Sequence, residues 1–200
     1  MPLAEENQPL VATLKKVAYQ LKQLDVPFVL AGSFAVYARG GQPVDHDVDF
    51  LIKAEDAERV LAALVDAGFR AEVPPEGWLV KVYEEDRLVD LIFSPVQQPV
   101  TDEILADSDV LPVNAVHMPV LSATRLMIHK MLTWTVHHCD FSRGLPVARS
   151  LREQIDWPRV QRETAHSPFA RAFMVLLDGL DVISLAEISG ISGPVREAVA

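Results

Sequence analysis

The sequence is poor in cysteine and in long hydrophobic runs, and each shortage excludes a class of protein. Cys139 is the single cysteine among 200 residues, so neither an internal disulfide nor a multi-cysteine zinc site can form. No segment approaches the ~20 consecutive apolar residues of a membrane-spanning helix. The first residues also lack the basic and apolar regions of a signal peptide, so we expect a cytoplasmic protein that does not contact a membrane.

Clustered basic charge is also missing, which argues against a surface built to hold nucleic acid. The formal net charge is -10 at pH 7, whereas proteins that bind RNA or DNA through phosphate contacts usually carry a basic stripe. The longest basic run is Lys15-Lys16. A nucleic-acid acceptor would therefore have to be held by a local patch.

Apolar residues make up 50% of the chain, which is enough to bury a sizeable core. The length fits one large domain or one domain with a helical appendage. The spacing of the apolar residues alternates between helical and strand periods as far as residue 121 and is helical afterwards. We predict an α/β (α+β) fold in which residues 1–121 form the catalytic core and residues 122–200 a C-terminal helical part packed on it. Helices are predicted over 8–24, 34–39, 54–67, from 122 past 134, 146–154, 158–164, 168–180 and near 195, and strands over 26–31, 47–52, 69–73, 78–83, 88–93 and 116–121.

Three aspartates are the candidate functional residues of this fold. Asp47 and Asp49 lie two apart on a predicted strand, so their side chains share one face while Val48 and Phe50 can face a core. Asp90 lies on the second strand of a predicted hairpin, whose pairing can bring it beside the first two acids. Clustered carboxylates suit a hard cation such as Mg²⁺, which also takes substrate phosphates as ligands.

A Gly-Ser turn precedes these acids and is a candidate phosphate cradle. Gly32 and Ser33 follow a predicted strand and open a short helix, so their backbone N–H groups are free to bind phosphate oxygens. Glycine also lets the backbone approach a ligand closely. The turn and the acids together suggest phosphate-transfer chemistry.

The motif resembles that of the nucleotidyltransferase superfamily built on the DNA polymerase beta fold. Gly32-Ser33 is followed, fifteen residues after Gly32, by Asp47-Val48-Asp49 and an apolar strand. Within that superfamily the chain is similar, from about residue 26 to about residue 180, to abortive-infection-type toxins and small antibiotic nucleotidyltransferases. The resemblance implies a small mixed sheet with flanking helices, followed by a helical half that shapes the cleft.

The resemblance also implies roles for individual residues. Gly32 and Ser33 would hold a nucleoside triphosphate such as ATP, and Asp47, Asp49 and Asp90 would ligate Mg²⁺, with two ions expected and Mn²⁺ as a substitute. These three acids would also be the catalytic residues. Two further site residues are implied on the helical side: Lys130 would bind the triphosphate, and Asp140 matches a supporting acid of the relatives.

The sequence departs from its relatives just before the paired acids. Many relatives have an arginine and a hydroxyl residue there, where this chain has Pro43 and Asp45. In some toxin relatives the hydroxyl residue is phosphorylated, and that mode of control is in doubt here. Asp45 is either an additional metal ligand or a surface residue at the start of the strand.

Several candidate residues also have simpler structural interpretations. A lysine among apolar helix residues, such as Lys130, commonly extends its ammonium into solvent, and Arg39 more readily caps the end of its own helix than binds a nucleotide. The segment from His137 to Asp140 has metal-binding residue types, but neighbours on a helix point in different directions and cannot share one tetrahedral site. We therefore interpret these histidines as structural.

Two classes of function remain from the sequence. The first is Mg²⁺-dependent transfer of a nucleoside monophosphate to a hydroxyl acceptor, either RNA (tRNA included) or a small molecule, in an enzyme that could be the toxin of a toxin–antitoxin pair with an antitoxin protein as partner. The second is a catalytically inert nucleotide-binding or partner-binding module of the same fold, which the departures at Pro43 and Asp45 motivate. The acceptor, the nucleotide and the oligomeric state are not determined by the sequence.

Overall fold

The computed structural model describes residues 8–41 and 47–188, and seven strands within them form one mixed sheet. Their order across the sheet is β3-β4-β5-β2-β1-β7-β6. The central pairs are mixed, because β2 runs antiparallel to β1 but parallel to β5, and β1 runs parallel to β7. The predicted α/β class with a mixed sheet is confirmed. The strands are β1 Phe28–Ala31, β2 Asp47–Ile52, β3 Arg70–Glu72, β4 Leu79–Glu84, β5 Arg87–Ile92, β6 Ser108–Val113 and β7 Val116–Leu121.

Helices connect these strands and continue after the last of them. Ser122 caps the first helix of the C-terminal half by accepting a hydrogen bond from the backbone N–H of Arg125 at 3.1 Å, as its side-chain type predicts. The helices are α1 Gln8–Gln23, α2 Gly32–Ala38, α3 Ala57–Asp66, α4 Asp102–Ala106, α5 Ala123–Leu132, α6 Leu145–Ser150, α7 Trp157–Thr164, α8 Pro168–Gly179 and α9 Leu185–Ile188, with 3₁₀ turns at Ala54–Asp56, Pro95–Gln97, Phe141–Arg143 and Arg152–Gln154. None of the described helices is long and apolar enough to cross a membrane.

Helices α1 and α3 cover one face of the sheet, and the acids lie on the opposite face. Helix α1 contacts β2 and β5, and α3 contacts α1, β3 and β4. On that covered face Val48 and Phe50 are fully buried, while Thr13 of α1 donates a hydrogen bond to Glu84 at 2.5 Å and accepts one from Arg87 at 2.8 Å. Because strand side chains alternate, Asp47 and Asp49 lie on the opposite face.

A charged network joins the C-terminal helices to the sheet. The Asp107 carboxylate accepts hydrogen bonds from Arg125 of α5 at 3.1 Å and from Arg159 of α7 at 2.6 Å, and Glu163 pairs with both arginines. These arginines hold the pKa of Asp107 below its usual value despite its burial, which alone would raise that pKa. Apolar residues before and after residue 121 belong to one buried cluster, and the predicted division of the chain there stays a prediction.

The structure corrects three secondary-structure predictions. Strand β6 and helix α4 were not predicted, because β6 is an edge strand with Pro112 and an exposed Val110 and lacks a clean alternation. The β6–β7 hairpin turns at Asn114 and Ala115, which both have positive φ. Helix α5 ends at Leu132 rather than past 134, and the helix predicted near Val195 lies outside the described residues.

Candidate active site

The structure brings the three predicted acids together on the face of the sheet opposite α1 and α3. Asp49 of β2 is directly opposite Asp90 of β5 in a parallel pair, and Asp47 lies two residues before Asp49. One carboxylate oxygen of each of the three residues lies within 4.8 Å of the others. We call Asp47, Asp49 and Asp90 the acidic triad. Their spacing and all-oxygen chemistry fit a hard divalent cation, because one ion could reach an oxygen from each.

Burial makes Asp90 the least solvated member of the triad. Its exposed fraction is 7%, while Asp47 and Asp49 are half-buried. This burial raises the pKa of Asp90 above its usual value, and the nearby charge of Asp47 adds to the rise, while Lys81 opposes it. A buried carboxylate needs a cation or a hydrogen-bond donor in its charged form, and the structure supplies one in Lys81.

Lys81 is a residue of this site that the sequence analysis missed. It is opposite Asp90 in the β4–β5 hairpin, and its Nζ lies 3.1 Å from Oδ1 and 3.3 Å from Oδ2 of that carboxylate. Burial alone would lower the pKa of Lys81, but the hydrogen bond and charge of Asp90 outweigh it and the pKa is raised. The hairpin turn at residues 84–87 was recognised in the sequence, and counting outward from it already pairs residue 81 with residue 90.

Gly32 lies directly against the triad. It follows Ala31, which is opposite Asp49 in the β1–β2 pair, and its φ is +59°. A Cβ atom on Gly32 would lie 1.8 Å from Oδ2 of Asp49, which no real contact allows. The residue therefore has to be glycine both for its backbone angle and for its approach to Asp49.

Ser33 adds a polar group beside this contact. Its side chain is 7% exposed, and within residues 8–41 and 47–188 its Oγ has no hydrogen-bond partner. A buried hydroxyl without a partner is unfavourable. The unsatisfied Oγ fits the predicted role of Ser33 in holding a phosphate oxygen.

The two site residues predicted on the helical side lie on α5 and in the segment after it, not on the strands that carry the triad. Lys130 is half-buried near the end of α5, and its carbonyl accepts a hydrogen bond from Thr133 at 2.8 Å. Asp140 caps the 3₁₀ turn that follows it by accepting from the backbone N–H of Ser142 at 3.0 Å, and it pairs with Arg143 at 3.9 Å. Hydrogen bonds from Ser142 hold the pKa of Asp140 below its usual value. Asp45 and Pro43 lie outside the described residues.

One structural interpretation from the sequence is confirmed and another is wrong. Arg39 is the C-cap residue of α2, where its backbone N–H donates to the carbonyls of Ala35 and Val36. Its guanidinium donates instead to the carbonyls of Leu121 at 2.6 Å and Val120 at 2.9 Å and pairs with Asp109. The predicted helix around His137 is wrong, because those residues lie after α5 in a turn closed by Thr135 and His138.

The mixed sheet, the acidic triad across β2 and β5, and the glycine pressed against Asp49 together define a nucleotidyltransferase. A family model described as an uncharacterised nucleotidyltransferase matches residues 3–178, and the chain belongs to that family. The predicted resemblance to nucleotidyltransferases is thereby confirmed. No curated protein matches the chain significantly.

Solved structures of similar fold include antibiotic nucleotidyltransferases. The chain is similar to ANT(2")-Ia in complex with adenylyl-2"-tobramycin, with a TM-score of 0.55 and 16% identity over 84% of this chain and 99% of that one. It is also similar to the lincosamide antibiotic adenylyltransferase LnuA bound to lincomycin, with a TM-score of 0.50 and 15% identity over 74% and 96%. An antigenic nucleotidyltransferase-like protein from Paracoccidioides brasiliensis gives a TM-score of 0.55 and 17% identity over 95% and 94%. At these identities the likeness concerns the fold.

Proposed function

We propose that the protein transfers a nucleoside monophosphate from a nucleoside triphosphate to a hydroxyl group of a small-molecule acceptor, with Mg²⁺ as its cofactor. The observation that carries the proposal is the convergence of the acidic triad with Gly32 and with the unpartnered Oγ of Ser33. A small acceptor is supported by the antibiotic enzymes of similar fold and by the net charge of -10. RNA is the competing acceptor.

The proposed role of each residue follows from its position in the site. Ser33 Oγ and the backbone at Gly32 donate to oxygens of the triphosphate, with Lys130 as a candidate point charge on the same group. Asp90, at the β4 side of the triad, receives the proton of the acceptor hydroxyl as general base. Burial raises the pKa of Asp90 above its usual value, which makes it a stronger base than an exposed aspartate.

The donor set fits a divalent ion, since all three members of the triad offer carboxylate oxygens within reach of one another. Asp47 and Asp49 would hold both ions of a two-ion site, and Asp90 the one nearer the acceptor. Such ions, when bound, supply neutralisation of the α-phosphate and of the departing pyrophosphate. Asp45 and Asp140 remain candidates for support of this site.

The proposal is tested by following transfer of an α-labelled nucleotide with the wild type and with Asp90→Asn. We expect the substitution to lower transfer by about 10²–10⁴-fold, because the acceptor loses its base, while circular dichroism stays unchanged. Asp66→Asn is the matched control, since Asp66 is an exposed acid at the end of α3 on the covered face. The assay offers each triphosphate in turn with a panel of hydroxyl-bearing antibiotics and with total cellular RNA, and mass spectrometry identifies the product.

Each outcome decides between the alternatives. Label on a small molecule supports the proposal, whereas label on RNA moves the acceptor to the competing class. Nucleotide binding without pyrophosphate release for any acceptor would instead support the inert module. The hypothesis that the protein is a toxin with an antitoxin partner rests on the sequence resemblance alone. It predicts that expression of the protein arrests growth.

A further inference from the structure

Lys81 extends the row of acids across the face of the sheet opposite α1 and α3. Asp49 is opposite Asp90 in the β2–β5 pair, and Asp90 is opposite Lys81 in the β4–β5 pair. Directly opposite residues of neighbouring strands point to the same face. The ammonium therefore belongs to the same surface as the acidic triad, and the side chains of Lys81 and Asp90 are only 26% and 10% exposed.

The contact between the two side chains involves both carboxylate oxygens. Nζ lies 3.1 Å from Oδ1 and 3.3 Å from Oδ2 of Asp90, so the ammonium lies between the two oxygens. A divalent ion bound by the triad needs one of these same oxygens. The ion and the ammonium therefore draw on one carboxylate and repel each other at short range.

We propose that Lys81 is a positioning residue that competes with the divalent cation for the carboxylate of Asp90 and thereby lowers the affinity of the triad for metal. This inference rests on the proposed function, because it assumes that the triad binds a divalent ion. Under this proposal β4 contributes Lys81 to a metal site whose ligands come from β2 and β5.

Charge supports this role. Three ionised carboxylates and one ammonium carry a formal charge of -2. Without Lys81 the charge of these groups would be -3, and a divalent ion would be held more tightly. Removal of a partly buried positive charge within a few ångströms of an ion should strengthen binding by about tenfold.

The test is a calorimetric titration of the protein with Mn²⁺, which reports binding without any turnover. Lys81→Met should bind Mn²⁺ about tenfold more tightly than the wild type, and Lys81→Arg, which keeps the charge, should restore an affinity close to that of the wild type. Lys53→Met is the charge-matched control. Lys53 pairs with Asp102 and directly follows the end of β2. It lies four residues after Asp49, a span of about 13 Å in an extended chain, which exceeds the screening length of about 8–10 Å.

The outcomes separate this inference from the proposed function. Equal Mn²⁺ affinity in the wild type and in Lys81→Met, or equal gains in Lys81→Met and Lys53→Met, would overturn the role of Lys81 and leave the metal site standing. Absence of Mn²⁺ binding in all variants would overturn the metal site itself. Lys81→Met could impair folding, because it leaves the buried Asp90 carboxylate beside an apolar side chain, so Lys81→Gln, which offers a hydrogen-bond donor, is titrated in parallel. The gain in Mn²⁺ affinity should disappear when either variant is combined with Asp90→Asn, because the competition acts through that carboxylate.

Discussion

Replacing Gly32 with alanine should disrupt the site through one added methyl group. Gly32 has φ of +59°, and a Cβ there would lie 1.8 Å from Oδ2 of Asp49, whereas real Cβ contacts are essentially never shorter than 3.0 Å. Either the Asp49 carboxylate or the turn has to move by more than 1 Å. Metal sites tolerate about 0.2 Å in their ligand distances, so the triad can no longer hold its ion as before.

The magnitude has two parts. The left-handed backbone angle costs alanine about 1–2 kcal/mol, and forcing a methyl group into a filled position typically costs about 1–3 kcal/mol more. We expect Gly32→Ala to lower the free energy of unfolding by about 2–5 kcal/mol. Nucleotide transfer should fall by at least about 100-fold, the cost expected of a 1 Å misplacement.

Gly68 provides a matched control for the backbone contribution. It follows α3 on the covered face with φ of +93°, and nothing lies within 4 Å of its would-be Cβ. Gly68→Ala should therefore show the backbone cost alone and keep wild-type transfer. Urea denaturation measures the stability of both variants, and Mn²⁺ titration together with label transfer measures the site.

The reasoning would be refuted if Gly32→Ala matched Gly68→Ala in all three measurements. That result would mean that the turn relaxes without disturbing Asp49. A Gly32→Ala protein that is destabilised but still binds Mn²⁺ and transfers label normally would also contradict the close approach of Gly32 as a feature of the site.

Two further predictions concern buried polar groups. Ser33→Ala should raise the free energy of unfolding by up to about 1–3 kcal/mol, because it removes a buried hydroxyl that has no hydrogen-bond partner. The same substitution should raise KM for the triphosphate about tenfold, and an unchanged KM would remove Ser33 from the phosphate site. His129 should make stability depend on pH: burial and the charge of Arg125 lower its pKa from 6.5 to about 4, so the unfolded chain takes up a proton first as the pH falls. Stability should drop by about 2.5 kcal/mol between pH 7 and pH 4.5. Urea titrations of wild type and His129→Gln measure the difference, and an equal pH dependence in both would contradict it.

The parts of the fold that could be predicted from sequence are those fixed by local pattern. Strand β2 and strand β7 have their predicted bounds, because each is a short apolar run bounded by polar or helix-capping residues. Edge strand β6 could not be found in the same way, because one of its sides meets solvent and its stability comes from pairing with β7. Its turn at Asn114 was the local signal that was overlooked.

The site also has parts that local pattern predicts and parts that it does not. The alternation of side chains along a strand predicts that Asp47 and Asp49 share one face, and the hairpin and the resemblance predict that Asp90 lies beside them. The approach of Gly32 to Asp49 depends on the register between β1 and β2, which no local pattern sets. Lys81 depends on register too, but here the short hairpin turn fixes it, so this residue was within reach of the sequence.

The strand order gives the proposed reaction a direction across the sheet. The candidate phosphate-binding residues Gly32 and Ser33 lie at the end of β1, the acids follow on β2 and β5, and Lys81 lies beyond them on β4. Under the proposed function, the nucleotide therefore enters from the β1 side and the acceptor hydroxyl meets Asp90 from the β4 side. The next residue of β4 on this face is Tyr83, whose ring lies 4.0 Å under the guanidinium of Arg70 on β3. Acceptor recognition should thus depend on β3 and β4 as well as on the helical half, because these strands carry the side chains nearest to Asp90 on its outer side.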